Sequence, residues 1–207
     1  MKDNLNIGSR VDATFANNTL TNLPGILEKW CLLNIPAYCD TFGGMYSWTH
    51  ALQYWDTNFT QPPYPAQGIC PPGWHIPTSP EWQILWNFVD SCTGTYKTAD
   101  YGFGFGFQDS NAVGNKLKLV SECYLPRTNP IDCGVSGFEM KLGGFLALGF
   151  FWLPLTHVMS EYWAATRGSV LRADLWEIQS TSPGFGLGTS PPGMELTNGG
   201  YIRCLKD

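Results

Sequence analysis

Residues 78–89 constrain the fold more than any other part of this sequence. Thr78 and Glu81 have the spacing of a capping box, in which two side chains satisfy backbone N–H groups at a helix start, and Pro80 suits the first turn. Apolar residues then recur at helical spacing, at Trp82, Leu85, Trp86 and Val89. The pattern predicts an amphipathic helix that ends near residue 89 and packs this face into a core.

A second, shorter helix is predicted over residues 45–52. Its apolar face is formed by Trp48, Ala51, Leu52 and Trp55, at positions i, i+3, i+4 and i+7. Between the two helices, residues 61–72 contain five prolines, which excludes a helix and predicts an extended loop.

The chain after residue 90 shows no good helical period and reads as short strands bounded by Gly and Pro. We predict strands at 101–107, 116–120, 137–142, 145–152, 162–165 and 200–205, and a weak one at 11–15. Helices early and strands late predict an α+β domain, with two helices packed on short antiparallel sheets and long loops. Residues 1–30 are polar and Asn-rich, so we divide the chain into an N-terminal extension (1–30) and a main domain (31–207).

The composition of the chain restricts the kinds of partner that it can bind. The chain has 207 residues and a net charge of −5, and its 12 Lys and Arg residues are scattered, which argues against nucleic acid. Only 14% of residues are charged, below the roughly 25% usual in soluble domains, so Gly, Asn, Ser and Thr must cover much of the surface. The longest apolar run, 145–155, is shorter than the roughly 20 residues of a membrane span and predicts a buried strand pair.

Seven cysteines favour an oxidising location: extracellular, at a cell surface or in a virion. The N-terminus has no apolar signal core, so a signal was removed or the protein leaves its host by another route. Cys31/Cys39 and Cys123/Cys133 predict local disulfides, with buried free thiols as the alternative. No CxxC pair occurs and His50, His75 and His157 are dispersed, so we expect no metal and no cofactor.

Residues 68–82, Gly-Ile-Cys-Pro-Pro-Gly-Trp-His-Ile-Pro-Thr-Ser-Pro-Glu-Trp, resemble the signature of the Fibrobacter succinogenes major paralogous domain family. Further landmarks of that family follow in order across residues 30–207. They are Phe42-Gly43-Gly44-Met45-Tyr46-Ser47-Trp48, Gly114-Asn115-Lys116-Leu117-Lys118, Gly137-Phe138, Gly143-Gly144-Phe145, Glu161-Tyr162-Trp163-Ala164-Ala165-Thr166 and Tyr201-Ile202-Arg203-Cys204-Leu205-Lys206-Asp207.

The resemblance implies a C-type-lectin-like layout and a disulfide between Cys70 and Cys204, which leaves Cys92 as the odd cysteine. The sugar-binding motifs of calcium-dependent lectins, EPN or QPD and WND, are absent, and Leu175-Trp176-Glu177 is the nearest approach. Calcium-mediated sugar binding is therefore not expected.

An enzymatic function finds little support in the sequence. Formylglycine-generating enzymes share this fold and need two reactive cysteines near the C-terminus, where only Cys204 lies. No GxSxG, HExxH, P-loop or GxGxxG element occurs. His75 is the sharpest candidate for chemistry, but we expect it to bond backbone at the helix start. The protein is therefore predicted not to be an enzyme.

The C-terminal region departs from the family and resembles the variable proteins of diversity-generating retroelements. Those proteins vary by adenine-directed mutagenesis, which never produces Lys, Gln, Glu, Met or Trp from Asn codons, and residues 181–193 contain none of the five. An ordinary irregular loop is the alternative for this stretch.

We accordingly predict a non-catalytic module for receptor recognition or adhesion, which binds a protein or glycan on another cell or particle. The alternatives are a surface-layer structural subunit and a formylglycine-generating-enzyme-like oxidase. Val170, Arg172 and Asp174 should form one outward row if this stretch is a strand, with Trp176 as an aromatic floor. The predicted ligand-binding residues are Arg167, Gly168, Val170, Leu171, Arg172, Asp174, Trp176, Phe185 and Leu187.

Overall fold

The computed structural model describes residues 1, 3–13, 20, 25–54, 60–90, 113–123, 134, 136–147, 150–151, 158–180, 185–187 and 194–207. Within them, four α-helices and several short sheets form an α+β fold. The helices are α1 (Pro36–Phe42), α2 (Trp48–Leu52), α3 (Ser79–Asp90) and α4 (Val113–Leu117). Short 3₁₀ turns occupy Leu32–Asn34 and Val120–Glu122.

Helix α3 begins with the predicted capping box. The Thr78 backbone N–H donates to Glu81 Oε2 over 2.8 Å, and the Glu81 N–H donates back to Thr78 Oγ1 over 3.4 Å. Trp82, Trp86 and Val89 are buried as the spacing predicted, whereas Ile84 and Phe88 on the opposite side are exposed. The helix ends at Asp90, one residue beyond the predicted end.

The main sheet consists of β6 (Met159–Arg167), β7 (Arg172–Gln179), β8 (Phe185–Leu187) and β9 (Met194–Glu195). Strand β7 lies at its centre and pairs antiparallel with each of the other three. The remaining described strands form two-stranded pairs. These are β1 (Ser9–Arg10) with β2 (Glu28–Lys29), β3 (Trp74–His75) with β10 (Leu205–Lys206), and β4 (Leu146–Ala147) with β5 (Phe150–Phe151).

Each face of β6 and β7 packs against its own apolar cluster, because successive side chains on a strand point to opposite faces. Tyr162 and Trp176 join the cluster that contains Trp82 of α3. Trp163 and Leu175 join the cluster that contains Trp48 of α2. The sheet is therefore a middle layer, with α3 on one face and α2 on the other.

Residues 199–204 thread between these layers and hydrogen-bond to parts of the chain far apart in sequence. Gly199 and Gly200 exchange backbone bonds with Leu146 and Tyr46, respectively. Gly200 has little room for a side chain, since a Cβ there would lie 2.9 Å from Trp163 Nε1. We call residues 199–204 the central segment.

Arg203 of the central segment is 2% exposed, and its guanidinium is satisfied by neutral oxygens. It donates to Asn4 Oδ1 over 2.7 Å and to the carbonyls of Phe138 and Glu139 over 2.6 and 2.9 Å, and it lies 4.8 Å from the Phe138 ring centroid. These contacts join the N-terminal residues to the 136–140 loop.

The N-terminal thirty residues, where described, contribute to the core. Leu5, Ala13, Leu20 and Trp30 are buried, and the Leu5 N–H donates to the Ile202 carbonyl over 3.0 Å. The predicted extension thus lies against the rest of the fold.

Two disulfides are present among the described cysteines. Cys31 is joined to Cys39, as the close spacing predicted, and Cys70 is joined to Cys204, as the family resemblance implied. Cys123 is also disulfide-bonded. Cys133, its predicted partner, and Cys92 lie outside the described residues.

Several predicted elements differ in the structure. Residues 116–120 were predicted as a strand, but α4 continues to Leu117 and a 3₁₀ turn begins at Val120. The alternation of a strand fails here because Leu117 and Lys118 are both buried. Residues 137–142 form only an isolated bridge from Met140 to Lys118. Helix α1 was not predicted, and the two-helix expectation was too low.

Some of the other predicted strands are observed and others are not. The strand pair predicted within 145–155 corresponds to β4 and β5, and the strand predicted at 162–165 lies within β6. Of residues 200–205, only Leu205 lies in a strand, while Gly200 and Tyr201 form isolated bridges. The weak strand at 11–15 is not seen at 11–13, and 101–107 lies outside the described residues. None of the described helices is long and apolar enough to cross a membrane.

Removing the Cys70–Cys204 disulfide should cost more stability than removing Cys31–Cys39. The two bonds join cysteines 134 and 8 residues apart. The chain-entropy model gives about 5 kcal/mol for the longer loop and about half of that for the shorter one. We expect Cys70→Ser/Cys204→Ser to lower the free energy of urea unfolding by roughly twice as much as Cys31→Ser/Cys39→Ser. Equal losses would contradict this ranking.

Candidate functional site

The turn between β6 and β7, residues 168–171, is held by several backbone hydrogen bonds. The N–H groups of Gly168 and Ser169 both donate to the Arg172 carbonyl, over 3.0 and 2.9 Å. The Leu196 N–H donates to the Leu171 carbonyl over 3.0 Å, which ties the turn to the chain after β9. The turn backbone is therefore held from two sides.

Arg167 fixes this turn from beneath. It is only 4% exposed, and its guanidinium donates to the carbonyls of Ser169 and Val170 and lies 5.7 Å from the centroid of the Trp48 ring. Gln61 adds two bonds to the Arg167 backbone, one to its carbonyl over 2.7 Å and one from its N–H over 2.9 Å. Arg167 was predicted to contact ligand, but its buried guanidinium instead supports the turn.

Val170 and Leu171 are the exposed apolar residues of the turn, with 48% and 71% of their surface accessible. Gly168 is partly buried beside them. An exposed apolar side chain would gain about 25 cal/mol of free energy for each Å² of its surface buried on binding. Two such neighbours on a fixed turn form a small apolar tip, which we call the hairpin tip.

Arg172 and Asp174 share one face of β7, as alternation predicted, but Val170 lies in the turn and does not extend their row. Ser79 Oγ donates to Asp174 Oδ2 over 2.6 Å. Burial raises the pKa of Asp174, while this hydrogen bond opposes the rise. Asp174 thus faces the start of α3 rather than open solvent.

Trp176 and Phe185 lie in the core rather than on the surface, with 1% and 3% exposure. Their ring centroids are 5.1 Å apart, and Phe185 also lies 5.5 Å from Trp82 of α3. Leu187 packs against the same cluster. These three residues leave the candidate surface, because covering the sheet with α3 buries the face on which they lie. The predicted variable stretch 181–193 is otherwise outside the described residues.

His75 sits between two carboxylates, not against backbone as predicted. Its Nδ1 lies 2.6 Å from Asp207 Oδ1, and its Nε2 lies 2.9 Å from Glu81 Oε1 of the capping box. Tyr64 also donates to Glu81 Oε1, over 2.9 Å. Burial lowers the pKa of His75, but the bonds and charges of Asp207 and Glu81 outweigh burial and raise it. His75 therefore links β3 to the start of α3 and to Asp207.

The buried ionisable side chains to which the sequence assigned no role include Lys118, Glu161 and Glu177. Burial lowers the pKa of Lys118 to about 7, and its Nζ donates to Asn115 Oδ1 over 2.9 Å. Glu161 and Glu177 face each other across β6 and β7. The sequence did offer a signal for the two glutamates, because each is a charged residue within an otherwise apolar strand pattern. Among the described residues, no group of three or more His, Cys, Asp or Glu side chains could hold a metal ion.

The stability of the protein should depend on His75 protonation. A histidine whose pKa is raised on folding adds stability that is fully present below its unfolded pKa, roughly 6.5, and is lost as pH rises through the folded pKa. We expect the unfolding free energy, measured by urea titration from about pH 5.5 to 8, to fall with pH more steeply in the wild type than in His75→Gln. Asp207→Asn should give an intermediate slope. Identical wild-type and His75→Gln slopes would contradict the prediction.

Comparison with models of protein families identifies a family for this chain. The family model described as the Fibrobacter succinogenes major domain matches residues 1–206 of the chain, including the thirty residues that we set apart as an extension. No curated protein and no solved structure matches. Since the family model covers nearly the whole sequence, this chain belongs to the Fibrobacter succinogenes major domain family.

Proposed function

We propose that the chain is a non-catalytic ligand-binding module that presents the hairpin tip to a partner on another cell or particle. The observation that carries the proposal is the pair of exposed apolar residues, Val170 and Leu171, on a turn fixed by buried Arg167. A preorganised turn loses little entropy on binding, and apolar anchors supply much of the energy of an interface. Such a tip suits a protein partner better than a glycan.

The chemistry of the described residues favours binding over catalysis. A formylglycine-generating-enzyme-like oxidase needs reactive thiols, whereas the Cys204 sulfur is bonded to Cys70. Both ring nitrogens of His75 are engaged by carboxylates. A surface-layer structural subunit remains the second candidate, and it is distinguished by self-assembly of the purified protein in place of binding to a separate partner.

We further propose a C-type-lectin-like arrangement. Its supports are the helices α2 and α3 on opposite faces of one sheet and the bond from Cys70, ahead of α3, to Cys204 near the last strand. In such a scaffold the core fixes the geometry of a loop while leaving its side chains free to change. The hairpin tip meets that description, because its support comes from Arg167 and Gln61 outside the tip.

Truncating the hairpin tip should weaken binding without unfolding the protein. We expect Val170→Ser/Leu171→Ser to reduce affinity at least tenfold, since a truncated anchor typically costs more than about 1 kcal/mol. Binding would be measured by biolayer interferometry against biotinylated cell-surface proteins and, in parallel, on a glycan array. The matched control is Ile84→Ser/Phe88→Ser, which removes two exposed apolar side chains from α3.

Two outcomes would count against the binding surface. Wild-type affinity in the tip variant would exclude the tip, and an equal loss in the α3 control would indicate nonspecific adhesion. Both variants should unfold within about 0.5 kcal/mol of the wild type, as exposed substitutions usually do.

The proposal that the binding region is diversified by a retroelement has a separate test. Sequencing the DNA around the gene should find a reverse-transcriptase gene and a near-copy of the codons for about residues 166–203. In that near-copy, adenines should stand where the two sequences differ. Intact flanking sequence without such a copy would remove the retroelement while leaving the ligand-binding proposal in place.

A further inference from the structure

Two glutamates face each other in the interior of the main sheet. Glu161 of β6 is directly opposite Glu177 of β7, and Glu177 is in turn opposite Gly186 of β8. Directly opposed residues on antiparallel strands hold their Cβ atoms roughly 4.5–5.5 Å apart. Across the sheet, the side chains of Glu161 and Glu177 are therefore neighbours, and the next residue in line, Gly186, has no side chain.

Both carboxyl groups are withdrawn from water. Glu161 is 4% exposed and Glu177 is 3% exposed. Gln179 lies two residues further along β7 on the same face, and its side-chain amide N–H donates to Glu177 Oε1. Among the residues that the structure describes, Glu161 Oε2 and Gln179 Oε1 are buried acceptors without a hydrogen-bond donor. One end of this face thus gathers carboxylate and amide oxygens for which the described part of the chain supplies no positively charged partner.

This arrangement is costly unless something neutralises it. Like charges directly opposite on a sheet are destabilising, and an isolated buried carboxylate is far more costly than an exposed one. Burial raises the pKa of both groups, and the charge of Glu177 raises that of Glu161 further. The choices are a proton held between the carboxyls or a bound cation.

We propose that Glu161, Glu177 and Gln179 form the binding site of one divalent cation. A cation would neutralise both carboxylates and supply a partner to Glu161 Oε2 and Gln179 Oε1 together. All the donors are oxygens, which favours Ca²⁺ or Mg²⁺ over zinc or copper. Ca²⁺ fits better, because it tolerates irregular geometry, whereas Mg²⁺ demands a near-ideal octahedron and keeps several waters.

The site is separate from the hairpin tip and does not rest on the proposed function. Glu161 lies seven residues before Gly168, which places it roughly 20 Å from the turn along β6. A cation there would clamp β6 to β7 at the end opposite the turn. This proposal departs from our expectation of no metal, which was drawn from the absence of zinc spacings and lectin motifs.

The test uses the full chain, stripped with EDTA and dialysed into metal-free buffer. Thermal unfolding is followed with added CaCl₂, MgCl₂ or matched NaCl. Ca²⁺ at a hundredfold excess over its Kd should raise the Tm by about 5–10 °C. Tb³⁺ should bind at the same site and be sensitised by Trp163, which follows Glu161 on the same face of β6.

The isosteric variant Glu161→Gln/Glu177→Gln should lose both the Tm shift and the Tb³⁺ signal. Should it fail to fold, Glu161→Gln alone should weaken Ca²⁺ binding at least tenfold. The matched control, Glu195→Gln, removes a carboxylate from β9 of the same sheet and should keep the full response. A wild-type Tm that responds to none of the cations, and rises on acidification only while both glutamates are present, would overturn the proposal in favour of a shared proton.

Discussion

The backbone hydrogen bonds of the central segment are the constraint on which the rest of the structure depends. A buried backbone group without a partner costs as much as a lost hydrogen bond, so a segment inside the core must be paired along its length. The partners come from four distant regions: Leu5, Tyr46, Leu146 and Glu161. The N-terminal residues, the chain ahead of α2 and the strands β4 and β6 are therefore positioned by their bonds to residues 199–204. The Arg203 guanidinium and the Cys204 sulfur extend this pairing with side chains.

The sequence predicted best what local interactions decide. Helix α3 was predicted almost to the residue, because its cap, Pro80 and apolar stripe all lie within twelve residues. Helix α4 was missed because Lys116 and Lys118 mimic the polar–apolar alternation of a strand, whereas burial of Lys118 is settled by distant packing. Alternation cannot report which tertiary contacts a lysine will find. The Cys70–Cys204 pairing came from the family resemblance, since spacing alone cannot select a partner.

The positions of the predicted site residues followed from the sequence only in part, for the same reason. Alternation placed Arg172 and Asp174 on one face of β7, but it could not say that α3 covers that face. Arg167 was expected to meet a ligand, yet a buried arginine with carbonyl partners stabilises the turn. Val170 and Leu171 remain exposed, and they lie in the turn between the end of β6 and the start of β7. Surface composition is thus a property of the assembled layers, not of one strand.

The position of the central segment has a consequence for how the protein is made. Its residues are translated after nearly all of their partners, so the ribosome must release more than 190 residues before the core can close. Until then Cys70 cannot form its native disulfide, because Cys204 lies 134 positions further along the chain. Contacts this distant in sequence slow folding, because loop-closure entropy is lost before the contacts form. The Cys31–Cys39 disulfide, whose cysteines are only 8 positions apart, needs no residue beyond Cys39 and can close long before Cys204 is translated.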